Sequence, residues 1–276
     1  MKFKNTKALQ ALQCHEYACA QELFRSNARL TPCCVTLNNL AVYYLDYGMT
    51  LSNNKHVSAW KIGARILKKA TLLESGFISL ANYAVALAED GQFKDANYFF
   101  RSAISNGDSR PLTYYNYASC LFRCEEYEEA SRIMGMALAP SSVETILQNG
   151  GDHPLLFLAF SHLYTERHQE SHQIFSSYCA QKDGICHYNI FKYYFQSNQY
   201  ECALNMVENL LEEWLLTDEI LSMMEICIQQ ASMNNSKAVA LRKQMASAAS
   251  DRIARQHSVS DIHYLPPMIS CYAFYE

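Results

Sequence analysis

Residues 80–103 read LANYAVALAEDGQFKDANYFFRSA, and residues 114–137 read YYNYASCLFRCEEYEEASRIMGMA. Laid one over the other, Leu80, Tyr83, Ala84, Leu87, Phe93, Ala96 and Ala103 meet Tyr114, Tyr117, Ala118, Leu121, Tyr127, Ala130 and Ala137, each pair 34 residues apart. The first half of each block spaces its apolar residues at i, i+3, i+4 and i+7, one stripe of a helix. A turn follows, at Asp90-Gly91-Gln92 and at Arg123-Cys124-Glu125. A second helix then places Ala, a large residue and Ala in matching positions: Ala96, Phe100 and Ala103, then Ala130, Met134 and Ala137. Such a pair carries apolar surface on two sides and cannot bury both alone, so neighbouring pairs must stack.

The pattern extends in both directions. Tyr17, Ala20, Phe24 and Pro32 match a second half, preceded by an unusually polar first helix at Lys2 to Cys14. Asn39-Leu40-Ala41-Val42-Tyr43-Tyr44 opens the next repeat, whose second helix is delayed by Gly48 to Lys55 and resumes with Gly63, Leu67 and Ala70. Leu155, Leu158, Ala159 and Phe175 mark a fifth repeat, with Ser171 where Ala is usual. Ile190, Tyr194, Tyr200, Ala203 and Val207 mark a sixth, and Ile226, Ala238 and Met245 a degenerate seventh that closes the array. The whole resembles the tetratricopeptide repeat family, in which small residues sit where paired helices touch. The resemblance implies an all-α, right-handed superhelical solenoid of about six to seven antiparallel helix pairs over residues 1–257. Ser141 to His153, with Gly150-Gly151, reads as an irregular bend, and residues 258–276 as an apolar, non-helical tail.

Composition narrows the trade. The 276 residues carry 23 Lys plus Arg against 27 Asp plus Glu, a net charge of −4 that argues against nucleic acid as partner. Half the residues are apolar and only 18% are charged, so the chain folds rather than remaining disordered. No stretch approaches the roughly 18–20 apolar residues of a membrane helix, and Met1 to Gln10 lacks the apolar run of a secretory signal. Eleven cysteines, an odd number without a disulfide spacing pattern, point to a reducing compartment and a cytoplasmic setting.

Catalytic signatures are missing: there is no P-loop, no G-x-G-x-x-G, no G-x-S-x-G and no H-E-x-x-H. The densest polar cluster is His162, His168, His172, Cys179, Cys186 and His187. His168 and His172, four apart, would form half a zinc site on a helix, and this region carries the alternative of a metal-binding or enzymatic protein. The leading expectation is a non-enzyme without cofactor or bound metal. The run Glu125, Glu126, Glu128 and Glu129 lies where carboxylates complement a helix dipole.

The inner face carries the candidate site. Ala41, Ala84 and Ala118 face their paired helices, and a residue two positions earlier turns about 200° away. Those positions hold Asn39, Asn82 and Asn116, with Asn189 in the sixth repeat; the fifth has Phe157. An Asn amide offers donor and acceptor together, and so can hold the N–H and C=O of an extended peptide. Helices about 8–10 Å apart would meet a strand rising about 3.3 Å per residue at every third residue. The family resemblance likewise implies that such asparagines line the inner groove. Around them stand Val42, Asp46, Val85, Glu89, Ser119, Arg123, Lys192 and Gln196, giving an acidic N-terminal half and a basic C-terminal half. Tyr115 and Tyr188, each one residue before its Asn, offer aromatic contact at the groove wall.

These residues predict a non-catalytic adaptor, scaffold or chaperone that holds a protein or peptide segment in its concave groove. A peptide-sensing regulator or a secretion chaperone is the alternative within binding. The tail holds Ile262, Tyr264, Leu265, Met268, Ile269, Tyr272, Phe274 and Tyr275, too apolar for a solvated terminus, and Pro266-Pro267 favours an extended course. It is expected to lie on a repeat surface, either capping the last helix pair or occupying the groove as an internal competitor.

Overall fold

The structure is a computed structural model that describes residues 2–47, 56–74, 76–165, 167–178, 191, 194–195, 198–207, 218–231, 235–253 and 265–275. Every regular element among them is helical. The chain divides into two units, Met1–Ser161 with Pro266–Glu276, and His162–Leu265.

In the first unit α1 (Lys2–Gln13) pairs with α2 (Tyr17–Leu30). The short α3 (Cys34–Val42), prolonged by a π-helical turn at Tyr43–Tyr47, pairs with α4 (His56–Leu73). Next come α5 (Phe77–Glu89) with α6 (Phe93–Ser105), and α7 (Pro111–Arg123) with α8 (Tyr127–Gly135). Each pair packs on the next through α2 and α3, α4 and α5, and α6 and α7.

The alanines of the repeat do what their size allows. Ala41, Ala84, Ala96, Ala103, Ala118, Ala130 and Ala137 are wholly buried, and Phe100, Leu121 and Met134 fill the space their closeness leaves. The turn within each pair is equally repetitive. Gly91 and Glu125, at equivalent places, both take left-handed backbone (φ 77° and 65°), as do His15 and Asn198. The N–H that follows reaches back to close the helix end, Gln92 to the Leu87 carbonyl and Glu126 to that of Leu121, both at 2.9 Å. Glu125 holds this conformation without the steric freedom that Gly91 has.

Two sequence expectations change. Residues 141–153 are not an irregular bend: α9 (Pro140–Gln148) runs through them and packs against α7. Pro140 stands in its first turn after an extended Ala139, a helix start that Ser141-Ser142 and the later glycines obscured. Gly150 (φ 81°) then turns the chain toward α10 (Pro154–Tyr164). The polar first helix is nonetheless a helix, buried through Ala8, Ala11 and Leu12.

The second change lies in the second unit, which contains α11 (His168–Tyr178), α12 (Tyr200–Leu204), α13 (Asp218–Gln230) and α14 (Asn235–Ile253). Phe175, Ser171, Tyr194, Ala203 and Val207 are buried as the repeat register requires. On α13, however, Ile226 is 40% exposed, and Met223, Met224 and Cys227 take the core positions. Ala238 and Met245 on α14 are buried. Gly48 to Lys55, the expected delay, lies outside the described residues.

Replacing Ala84 or Ala118 with Leu should overpack the helix contact and cost about 1–3 kcal/mol in urea melts. Unchanged midpoints for both would mean that these alanines do not set the helix separation.

Candidate functional site

The helices α3, α5 and α7 stand side by side in the first unit and present Asn39, Asn82 and Asn116 on one face. Residues 266–275 lie across that face without regular secondary structure, and the three amides grip them. Asn116 Nδ2 donates to the Ile269 carbonyl and its Oδ1 accepts from the Ile269 N–H, both at 2.9 Å. Asn82 does the same to Ala273, at 2.7 and 3.0 Å. Asn39 does so to Tyr275, at 2.8 and 2.7 Å. Further along, Arg123 Nη2 donates to the Pro266 carbonyl at 2.8 Å, and its guanidinium lies over the Phe93 ring. The tail therefore runs antiparallel to the order of the repeats.

The spacing differs from the regular three expected. Asn116 and Asn82 hold residues four apart, whereas Asn82 and Asn39 hold residues two apart. The longer step contains a tight turn in which the Cys271 N–H donates to the Ile269 carbonyl at 2.9 Å, folding away length around Ser270. Six residues over two repeat steps still average three.

The ladder has a member that the sequence reading missed. Asn38 Nδ2 donates to the same Ala273 carbonyl at 3.0 Å, and its Oδ1 accepts from Asn82 Nδ2 at 2.9 Å. All four asparagines are at most 1% exposed, so each amide needs these partners. The Asn38-Asn39 doublet was the available signal.

Side chains of the tail have their own seats. Ile269 is buried beside Ile146 and Gly151, where a Cβ on Gly151 would stand 2.8 Å from the Ile269 Cδ1. Phe274 stacks on Phe24 of α2, centroids 5.6 Å apart. The Tyr275 hydroxyl approaches Ser79 Oγ at 3.4 Å and fills the space where a Cβ on Gly76 would be. Beside it Cys34 donates to Glu74 at 2.9 Å; burial first, and then that bond, push its thiol up to about 12. Cys34 is thus a neutral donor near pH 7.

Glu89, at the end of α5, collects the remaining polar contacts. Its Oε2 accepts from the Tyr272 hydroxyl at 2.5 Å and from Trp60 Nε1 at 2.9 Å, while Oε1 accepts from the Ser270 hydroxyl. Burial first, and the charge of Glu89 second, hold the Tyr272 phenol protonated far above its ordinary range. Trp60 was not foreseen, because α4 faced no expected ligand.

A crystal structure of a tetratricopeptide repeat protein from Parabacteroides merdae is similar, with a TM-score of 0.53 and 15% identity over 89% of this chain and 98% of that one. The fold is tetratricopeptide-like. A chain in the structure of Naa15/Naa10 bound to HypK-THB also has a TM-score of 0.53, with 11% identity over 92% of this chain. Only 36% of that longer chain is covered. Neither a protein-family model nor a curated protein sequence matches.

Within this tetratricopeptide-like frame the other expected residues take different places. Ser119 is buried one turn beyond Asn116. Tyr115 does not stand open at the groove wall: it is wholly buried beside Phe157, and its hydroxyl accepts from the Asp152 N–H at 2.8 Å. Its one-residue offset from Asn116 points it toward α10. Asn189, Tyr188 and Lys192 lie outside the described residues, as do Cys179, Cys186 and His187. His168 and His172 both belong to α11. Among the described residues, no three His, Cys, Asp or Glu side chains gather where a metal ion would be held. No described helix is long and apolar enough to cross a membrane.

Asn82→Ala with Asn116→Ala should loosen the tail while leaving helicity nearly unchanged. Each lost bond costs about 0.5–1.5 kcal/mol, so amide exchange at Ile269 and Ala273 should accelerate tenfold or more. Unaltered protection at both amides would show that the ladder does not hold the tail.

Proposed function

We propose that this protein is a non-catalytic interaction scaffold whose groove, lined by α3, α5 and α7, holds an extended protein segment by its backbone. One observation carries the reading: three asparagines on successive repeats each make a two-bond grip on one tail residue. Such a grip recognises what every residue except proline shares, so it suits protein segments as a class and needs no particular side chain. Asn39, Asn82, Asn116 and Arg123 are the contact residues in this reading. The tail occupies the groove at rest and gives way to a partner, in a cytoplasmic setting. The Naa15/Naa10 structure, similar in fold and bound to HypK-THB, accords with a role in assembly.

The test is comparative capture from the native source. Full chains whose tail is loosened by Ala273→Pro, with and without Asn82→Ala/Asn116→Ala, are cross-linked to their partners, and the products are quantified by mass spectrometry. Partners held by the groove should fall several-fold when both asparagines are replaced. Equal recovery of every specific partner would overturn the reading.

A further inference from the structure

The tail fits its groove well at both ends and poorly in the middle. Ile269, Tyr272, Phe274 and Tyr275 each have a seat. Between them, a cavity of about 220 Å³ lies against Cys271 and Ala273, bounded by Ala81, Val85, Phe100 and Pro111. The charged residue on its rim, Arg110, is already bound to the buried Asp108 carboxylate at 2.6 and 2.9 Å. What remains open is therefore apolar space, larger than a thiol and a methyl group occupy.

A resident segment on the same chain also has an advantage over any free one. Tethering gives it an effective concentration in the millimolar range for short flexible links. A partner present at micromolar levels must bind about a thousandfold tighter to take its place. The unfilled middle is where that affinity is available, since each methylene buried there strengthens binding about fourfold.

We infer that the groove's partner is an extended segment with the tail's own pattern, an apolar residue followed by Tyr three positions on and an aromatic pair beginning two later, but with a larger apolar side chain at the position of Cys271. The inference rests on the reading of the groove as a segment-binding site. The partner's backbone meets Asn116, Asn82 and Asn39, its first Tyr donates to Glu89, and its added side chain enters the cavity between α5 and α7.

The test uses labelled synthetic peptides of the sequence 266–276 and the full chain carrying Ala273→Pro, which removes the N–H that Asn82 accepts and so loosens the tail. The unaltered peptide should bind this chain at least tenfold tighter than it binds the wild type. A Cys271→Leu peptide should bind about tenfold tighter again. A Ser270→Leu peptide, which adds the same bulk outside the cavity and gives up a donor to Glu89, should bind no tighter than the unaltered one. If the unaltered peptide binds but leucine at 271 brings no gain, the inference fails and the groove reading stands. If no peptide binds a loosened chain whose circular dichroism matches the wild type, the groove reading fails and the inference with it. Should Ala273→Pro disturb folding, Tyr272→Asp loosens the tail by setting a carboxylate against Glu89.

Discussion

A peptide backbone buried on a protein surface must find partners for both its N–H and its C=O, or lose more than its apolar side chains gain. On this groove the requirement is met by primary amides. Asn82 alone pairs both polar groups of Ala273 and is itself held by Asn38, so the occupant's hydrogen bonds are completed by side chains rather than by a neighbouring strand. Everything around the groove follows from presenting those amides in line. The buried alanines bring helices together, the left-handed turns at Gly91 and Glu125 return each second helix, and each first helix sets an asparagine two residues before its alanine.

The asparagines were legible because each stands two residues before the small residue of its first helix, Ala41, Ala84 or Ala118, and the turn of an α-helix fixes which face they occupy. Two-bond backbone holding was legible for the same reason, since it depends only on the chemistry of one side chain. The occupant was not. The tail's apolar content and Pro266-Pro267 indicated an extended segment on a surface, but capping and groove occupancy satisfy that content equally. The choice depends on contacts more than 140 residues apart in sequence, such as Asn116 with Ile269, and no local period encodes them. The even step along the ladder failed similarly, because a turn at Ser270 has no marker when Gly and Pro are absent from residues 268–275.

Gly150-Gly151 shows how one sequence feature can be read for the wrong reason. Two glycines suggested a break in the array, and Gly150 does take a positive φ after α9. Gly151 serves space instead, since a Cβ there would meet Ile146 at 2.6 Å and Ile269 at 2.8 Å. Gly76 repeats the arrangement at the other end of the tail, opposite the Tyr275 hydroxyl. Both glycines are places where the repeat surface is cut back to admit an occupant, information that exists only once the occupant is in place. The misread register on α13 has a plainer cause: Ile226, Met223 and Met224 are all apolar, and the face turned to the core is set by packing rather than by the hydropathy of one residue.

The resting occupant also settles a local electrostatic problem. Glu89 puts a carboxylate in the last turn of α5, where the helix dipole is negative and an anion is disfavoured by about 0.3–1 kcal/mol. Three donors offset this, one from Trp60 on the repeat and two, Ser270 and Tyr272, from the tail. Withdrawing the tail removes two of the three and uncovers four buried amides together. Water can satisfy those groups, but it restores none of the apolar burial of Ile269 and Tyr272. An empty groove is therefore less favourable than the one the tail fills. Glu89 is thus the place where the tail's side chains, rather than its backbone, meet a polar demand of the groove.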